Sequence, residues 1–416
     1  MDKYIINGGN KLCGSVDIEC AKNAVLPIIA ASILCDDKVV IEKCPKILDV
    51  LNMLMILSDL GVKSTFFQNN LIIDSTNINS YTVKQKYAKR LRSSVLMIGA
   101  LLSKFRRVAI SYPGGCDIGI RPIDMHISAL KNLGVTVSEH GSDIVCACDK
   151  ILGGEVYLDF PSVGATENII ISSVLAEGRT IIHNAAKEPE IVDLCKFLNL
   201  MGGNIKGAGQ NEITIEGVKK LHGVTYKPMD DRIEAGTFLI AGALTGGEIE
   251  VRGVNVKNIS PLLSKFCDNA CKVSIKNDII HLKGGKTKKP FAIKTGPYPF
   301  FPTDLQPQIS VLASVSQGVS IIEENVFEMR FKHIAELLKM GADISVMGRT
   351  AIVNGVRFLH GAEVYSYDLR GGASMVLAGL VAEGRTTVFG TRHIERGYLN
   401  FDRKLASLGA DISKKK

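Results

Sequence analysis

The sequence predicts an α/β chain built from six repeated units, and three observations predict it. One phrase, the end of an amphipathic helix, a small-residue stop and an alternating strand, recurs six times: "LSDLGVKSTF", "LKNLGVTVSE", "LNLMGGNIKG", "FCDNACKVSI", "LLKMGADISV" and "LASLGADISK". The stops are Gly61, Gly134, Gly202, Ala270, Gly341 and Gly409, separated by 73, 68, 68, 71 and 68 residues. About 38–40 residues before each stop lies an apolar segment rich in Ala, Gly and Ser, and short β-branched runs follow several of them. Glycine ends helices because it enters the left-handed region without a Cβ penalty, so Ala270 is the departure from the pattern.

The six small-residue segments are "AKNAVLPIIAASIL", "LRSSVLMIGALL", "VGATENIIISSVLAEG", "DRIEAGTFLIAGALTGG", "PTDLQPQISVLASVSQG" and "LRGGASMVLAGLVAEG". Their apolar residues recur at helical spacing, which predicts a buried helix in each unit. The runs "VVIEKC", "TIIHNA", "EIEVRGV" and "SIIEENV" predict strands after them. Each unit then reads strand, helix, strand, helix, strand, strand. Such a unit buries its helix only by clustering, so six units form two groups of three.

Composition excludes several classes. With 416 residues, 46% hydrophobic and 22% charged, the chain is an ordinary globular protein of two or more domains. The apolar runs stay below the roughly 18 residues of a membrane span. The start, "MDKYIINGGN", lacks the basic and apolar regions of a signal peptide, so a cytoplasmic location is expected. Ten cysteines without a C-x-x-C pair or a histidine cluster make neither a disulfide framework nor a zinc site. The net charge of +8 is not gathered into the runs of a nucleic-acid binder. It suits an anionic small-molecule partner.

The starts of the buried helices carry polar residues that are unusual for a core: Lys22 and Asn23, Arg92, Thr166, Asp231 and Arg232, Asp304, and Arg370. Helix N-termini present free N–H groups and favour anions. If these starts converge, Asp304 stands as an acid among bases, as a general base would. Each residue read singly is equally a helix cap or a solvated first-turn charge. A second oddity is "SYPGGCDIGIRPIDMHISAL", where Cys116 lies behind two glycines in a polar loop rather than in apolar packing. The loop reads as a lid bearing a reactive thiol, or else as a surface turn with an incidental cysteine.

Ten ordered motifs carry a resemblance: "CAKNAVLP", "LRSS", "PGGCDIGIRPIDMH", "SVGAT", "AAKEPEIVD", "DRIEAGTFL", "FPTD", "VFEMRF", "DLRGGAS" and "HIERGY". In these the chain resembles, nearly end to end, the UDP-N-acetylglucosamine 1-carboxyvinyltransferase family of enolpyruvyl transferases. The resemblance implies an inside-out α/β barrel of two domains, each of three βαβαββ repeats around buried helices. One domain is expected over 21–229 and carries the Cys116 loop. The other takes 1–20 and 230–416, with the active site in the cleft between them. The implied reaction moves the enolpyruvyl group of phosphoenolpyruvate to the 3'-hydroxyl of UDP-N-acetylglucosamine and opens peptidoglycan synthesis. It requires no metal or redox cofactor.

The same resemblance implies roles. Cys116 matches the proton donor and the site of a covalent adduct with the epoxide fosfomycin; Asp304 matches the carboxylate beside the attacking hydroxyl. Lys22, Arg121 and Arg396 match phosphate ligands, and Arg330 and Arg370 ligands of the phosphoenolpyruvate carboxylate. Asn23 and Arg92 fall where both substrates meet. Arg121, Pro122, Ile123, Asp124, Met125, Ser162, Val163, Gly164, Asp304 and Val326 match the nucleotide-sugar contacts. His393 is either a support for Arg396 or an ordinary helix-start residue. Phe160 and Pro161 leave no basic residue just before Ser162, so no charged contact to the uridine phosphates is expected there. Two other readings compete: a shikimate-pathway enolpyruvyl transferase, disfavoured by the PGGC loop and "AKNA", and a non-catalytic anion- or RNA-end-binding protein, which needs neither Cys116 nor Asp304.

Overall fold

A computed structural model describes residues 2–114, 118, 119, 121–285 and 287–415. The repeated phrase is realised as a four-stranded sheet that recurs six times. Glu155–Tyr157 pairs in parallel with Arg179–His183, which pairs antiparallel with Glu212–Glu216, itself paired with Asn204–Lys206. Helix Val163–Ser173 links the first two strands, and helix Pro189–Leu200 leads to the closing hairpin. This is a βαβαββ unit.

Two of the six sheets borrow strands from the N-terminus. Lys3–Asn7 lies between Arg385–Phe389 and Asp411–Lys415, antiparallel to both. Cys13–Asp17 runs parallel to Glu248–Arg252 as the first strand of another unit. A third sheet is completed from the far end of its own half, where Thr225–Tyr226 joins Val39–Ile41 in parallel. The chain divides into two compact units, each holding three such sheets. One comprises the chain through Glu19 and from Asp230 onward and takes in Ile118 and Gly119; the other runs from Cys20 to Met229 apart from that insert.

Each unit is built around three helices that are buried on nearly all sides: Lys22–Ala31, Leu96–Phe105 and Val163–Ser173 in one, Arg232–Thr245, Gln306–Ser314 and Leu369–Val381 in the other. A helix apolar all round can only be interior, and the expected inside-out α/β architecture follows from it. Small residues let the helices approach closely. A Cβ built on Gly99 would lie 2.4 Å from Asn168 Oδ1. Hydroxyls within these helices bond backward to their own turn, as Thr237 does to Ile233 O (2.8 Å) and Ser310 to Gln306 O (2.8 Å).

The outer helices, such as Leu48–Asp59 and Ser260–Asp268, bury one stripe against their sheets. All six stops turn in the left-handed region. Gly61, Gly134, Gly202, Gly341 and Gly409 have φ between 81° and 101°, and Ala270 follows at 65° despite its Cβ. The alanine thus obeys the phrase at a conformational cost. Among the described residues no helix is long and apolar enough to cross a membrane.

Candidate active site

In the unit of residues 20–229, the first residue of the first buried helix is Lys22, and its ammonium meets the carboxylate of Asp49 at 2.7 Å. Asp49 is 1% exposed and Lys22 11%, so the pair is nearly dry. An ion pair taken out of water is held only where geometry is good, which fixes the lysine head at the helix start. Asn23 follows it, half-buried. Arg92 opens the next buried segment, and its guanidinium donates to the carbonyls of Arg121 and Pro122. Arg92 therefore holds the backbone of the stretch Arg121–Met125, in which Ile123 is buried and Pro122 and Asp124 are exposed.

His126, directly after that stretch, is buried against the third inner helix. Asn168 Oδ1 accepts from Gly99 N–H (2.7 Å), and its amide nitrogen donates to Val95 O (3.0 Å) and to His126 Nδ1 (3.0 Å). The Gly99 N–H fixes which amide atom is oxygen, so Nδ1 must accept and the histidine proton sits on Nε2. Burial first, then the charges of Arg92 and Arg121, push its pKa down from 6.5 to about 3. The imidazole is neutral. Ser162 caps helix Val163–Ser173, its Oγ accepting from Ala165 N–H (3.3 Å), with Val163 and Gly164 half-buried in the first turn. Thr166 accepts from Ala186 N–H (3.1 Å) inside the core, and Asp231 caps helix Arg232–Thr245.

Cys116 lies outside the described residues, as do Gly115, Asp117 and Ile120. The loop around it can be read at its two sides. A Cβ on Gly114 would lie 2.4 Å from Lys89 O, and Gly119, at φ +138°, would place one 2.6 Å from Glu328 Oε1. Both glycines allow a close approach that a Cβ would block. Ile118 is buried, and its carbonyl accepts from Met329 N–H (3.2 Å).

In the other unit the starts of the inner helices gather charge. Asp304 stands in the short helix Thr303–Leu305 before Gln306–Ser314, and Arg370 is second in Leu369–Val381. Arg370 donates through Nε (3.2 Å) and a terminal nitrogen (3.0 Å) to one oxygen of Asp304, while Arg330 reaches the other oxygen at 2.9 Å. The guanidinium groups are only 2–3% exposed and the carboxylate 25%. Two guanidinium groups thus share one carboxylate directly, with buried Asp231 a second anion acting on Arg370. Among the described residues, Arg330 Nε and Arg370 Nη1 are buried N–H groups without a hydrogen-bond partner, the arrangement of a cradle with capacity for a further anion. Burial opposes the charge of Arg370, but Tyr398, Asp304 and Asp231 push its pKa upward overall.

Asp368 caps the helix that carries Arg370, accepting from the N–H groups of Arg370 and Gly371 (both 3.0 Å). Arg232 starts its own helix with its guanidinium over the ring of Tyr298, 5.9 Å from the centroid. Val326 is half-buried and donates its N–H to Glu324 Oε1 (2.9 Å). Arg396 ends the short helix Thr391–Arg396, half-buried. Partial burial and then the charge of Arg396 push the His393 pKa down, so the two are electrostatic neighbours.

Three residues of the site escaped sequence reasoning. Asp49 lies on the same face of its helix as the buried Val50, Met53, Ile56 and Leu57; an acid in phase with an apolar stripe was the available signal. Glu324, 1% exposed, ties Thr303, the neighbour of Asp304, to the 326–327 turn. Asn168, in the middle of an apolar helix, is the third.

Comparison with known proteins places the chain. Residues 6–405 match the family model described as EPSP synthase (3-phosphoshikimate 1-carboxyvinyltransferase). Among curated relatives, UDP-N-acetylglucosamine 1-carboxyvinyltransferase 1 of Clostridium acetobutylicum is 47% identical over 100% of both chains. UDP-N-acetylglucosamine 1-carboxyvinyltransferase 2 of Caldanaerobacter subterraneus subsp. tengcongensis is 48% identical over 99% of both. Two solved structures share the fold: the enolpyruvyl transferase NikO from Streptomyces tendae, with TM-score 0.90 and 23% identity over 100% of this chain and 99% of that one, and EPSP synthase from Acinetobacter baumannii, with 0.78 and 18% over 100% of both. The chain belongs to the enolpyruvyl transferase family and, within it, groups with the UDP-N-acetylglucosamine 1-carboxyvinyltransferases.

Proposed function

We propose that the protein transfers the enolpyruvyl group of phosphoenolpyruvate to the 3'-hydroxyl of UDP-N-acetylglucosamine and releases phosphate, the first committed step of peptidoglycan synthesis, in the cytoplasm. The observation that carries the reading is the Arg330–Asp304–Arg370 cluster, in which two buried guanidinium groups share one carboxylate. Phosphoenolpyruvate brings a carboxylate that can take up the spare N–H groups of both arginines. Doing so weakens their hold on Asp304 and restores its basicity, because a carboxylate held by two cations is a poor base.

The chemistry divides into two steps. In the addition, the Cys116 thiol gives its proton to the methylene carbon of phosphoenolpyruvate, and the sugar hydroxyl oxygen bonds to the adjacent carbon while Asp304 takes the hydroxyl proton. In the elimination, the new methyl group of the tetrahedral ketal returns a proton to the Cys116 thiolate, the electron pair of that C–H bond forms the double bond, and the C–O bond to phosphate breaks as phosphate leaves. Lys22, Arg121 and Arg396 hold the phosphate, and their positive charge stabilises the leaving group. Asn23 and Arg92 serve both substrates. Residues 121–125, 162–164 and Val326 line the nucleotide-sugar site, where Arg92 and His126 brace the first of these stretches.

Phosphate release from phosphoenolpyruvate, measured with and without UDP-N-acetylglucosamine, tests the proposal. Release that requires the nucleotide sugar is expected. Release with shikimate 3-phosphate as acceptor, and none with the nucleotide sugar, would replace this reading by its shikimate-pathway relative.

A further inference from the structure

At the centre of the 230–416 unit a polar network joins all three inner helices. Tyr398, of the "HIERGY" motif, is 2% exposed. Its hydroxyl lies 2.8 Å from Thr237 Oγ1 on the first helix and 3.1 Å from Gln308 Nε2 on the second. Gln308 Nε2 also reaches Thr237 Oγ1 at 3.2 Å. The proton count orients these bonds. Thr237 spends its one hydroxyl proton on Ile233 O (2.8 Å), so it accepts from Tyr398 and from Gln308. The phenol is thereby held at its oxygen from two helices.

The ring it holds lies under the third helix's guanidinium: Arg370 Cζ is 5.2 Å from the Tyr398 centroid, a cation–π distance. Arg370 spends Nε and one terminal nitrogen on Asp304. The plane of the guanidinium then decides where its other N–H groups point. A planar fork supported on one face by a ring of fixed tilt loses little freedom when it binds a carboxylate.

We propose that Tyr398 is a positioning residue whose anchored ring sets the plane of the Arg370 guanidinium and so the direction in which Arg370 presents N–H groups to an incoming carboxylate. The inference rests on the assignment of Arg370 to the phosphoenolpyruvate carboxylate. Thr237 and Gln308 act one step further out by holding the phenol oxygen. The arginine–carboxylate contact exists before and during reaction, so its loss weakens binding more than turnover.

Steady-state kinetics of the full chain tests it. Tyr398→Phe keeps the ring but removes the phenol oxygen, with its bonds to Thr237 and Gln308 and its attraction for Arg370, and Thr237→Val removes the acceptor together with the Thr237–Ile233 bond. Each should raise the KM for phosphoenolpyruvate about tenfold, the size of one neutral hydrogen bond. The kcat and the KM for UDP-N-acetylglucosamine should stay within about twofold. Tyr398→Leu removes the ring face as well and should raise the phosphoenolpyruvate KM further. A merely structural tyrosine would lower the melting temperature and leave that KM alone, and that result overturns the proposal. Hydrogen exchange at Arg370 Nε, followed by 15N NMR, reads the guanidinium without any substrate. Protection in wild type and faster exchange in both conservative variants is expected; unchanged exchange overturns the proposal. If wild type releases no phosphate, the functional reading fails, and the exchange measurement alone decides the role of Tyr398.

Discussion

Asp304 is held by two arginines that each lose their nearest counter-charge if it is removed. Asp304→Ala therefore deletes the proposed base while leaving the cradle more positive. Turnover should fall by roughly 10²-fold or more, the usual worth of such a group, with phosphoenolpyruvate binding kept or strengthened. Isothermal titration of phosphoenolpyruvate beside the phosphate-release assay checks both halves, and near-normal turnover removes Asp304 from the mechanism. For Cys116 the two proposed roles, proton donor and nucleophile, separate by substitution. A carboxylic acid also donates a proton but attacks epoxides poorly, so Cys116→Asp should keep appreciable transferase activity and escape alkylation by fosfomycin, whereas Cys116→Ala loses both. Mass spectrometry of the treated protein reads the adduct. A Cys116→Ala enzyme that turns over normally makes the thiol a bystander.

At the scale of the element, two substitutions should move stability in opposite directions. Ala270 occupies a left-handed stop at φ 65° where the five other units place glycine. Its Cβ costs about 1–2 kcal/mol there, and glycine returns about 0.4–1 kcal/mol of that through the entropy of the unfolded chain. Ala270→Gly should stabilise by a few tenths to about 1 kcal/mol, seen as a rise in denaturation midpoint. Gly99 is the reverse case. A methyl group there meets Asn168 Oδ1 at 2.4 Å and Asn168 O at 2.6 Å, so Gly99→Ala forces two inner helices apart and should cost about 1–3 kcal/mol. The same shift disturbs the Asn168–His126 bond, so the KM for UDP-N-acetylglucosamine should rise in that variant. A Gly99→Ala protein as stable as wild type would show that this helix contact is looser than its geometry.

For the whole molecule, buried histidines link stability to acid. His126 and His333, one in each unit, are pushed down from 6.5 to about 3 and about 4, in both cases chiefly by burial. Between those values and 6.5 the unfolded chain binds the protons that the native chain refuses. The histidines' contribution to stability is therefore complete above about pH 6.5 and is lost as pH falls through the window down to 3–4. By pH 4.5 each histidine costs about 2–3 kcal/mol. Glu234 opposes this: burial raises its carboxyl from 4.5 to about 7 against the pull of Lys404, a contribution present at low pH and lost as pH rises through that range. Glu167 and Asp193, also raised chiefly by burial, act in the same sense as Glu234, so the histidine contribution is read as the difference between wild type and a histidine variant in urea titrations from pH 7 to 4.5. His126→Gln should flatten the slope by about 1.4 kcal/mol per pH unit. An equal slope in that variant would mean that His126 is protonated in the native state.

What could be read along the chain was whatever repeats locally. The six stops, the six small-residue helices and the strands around them follow from propensity and periodicity within some forty residues, and the motif order carried the family. Local rules also left two roles open at one place: Asp231 stands at a helix start where an anion-binding residue or a cap can stand, and it accepts from the N–H groups of Ile233 and Glu234 in its own first turn. The partners of the charged residues were not legible, because they depend on how distant elements pack. Lys22 meets Asp49 from another helix, Asp304 meets an arginine 66 positions away, and Tyr398 meets Thr237 across 161. Nor does alternation in Lys3–Asn7 say that it will lie between strands near residue 385 and residue 411. Sequence determined the repeating unit and its chemistry-bearing residues, since propensity acts over one or two turns of chain. Only the tertiary structure decided which charges neutralise one another, since that depends on which helix starts the packing brings within a few ångströms.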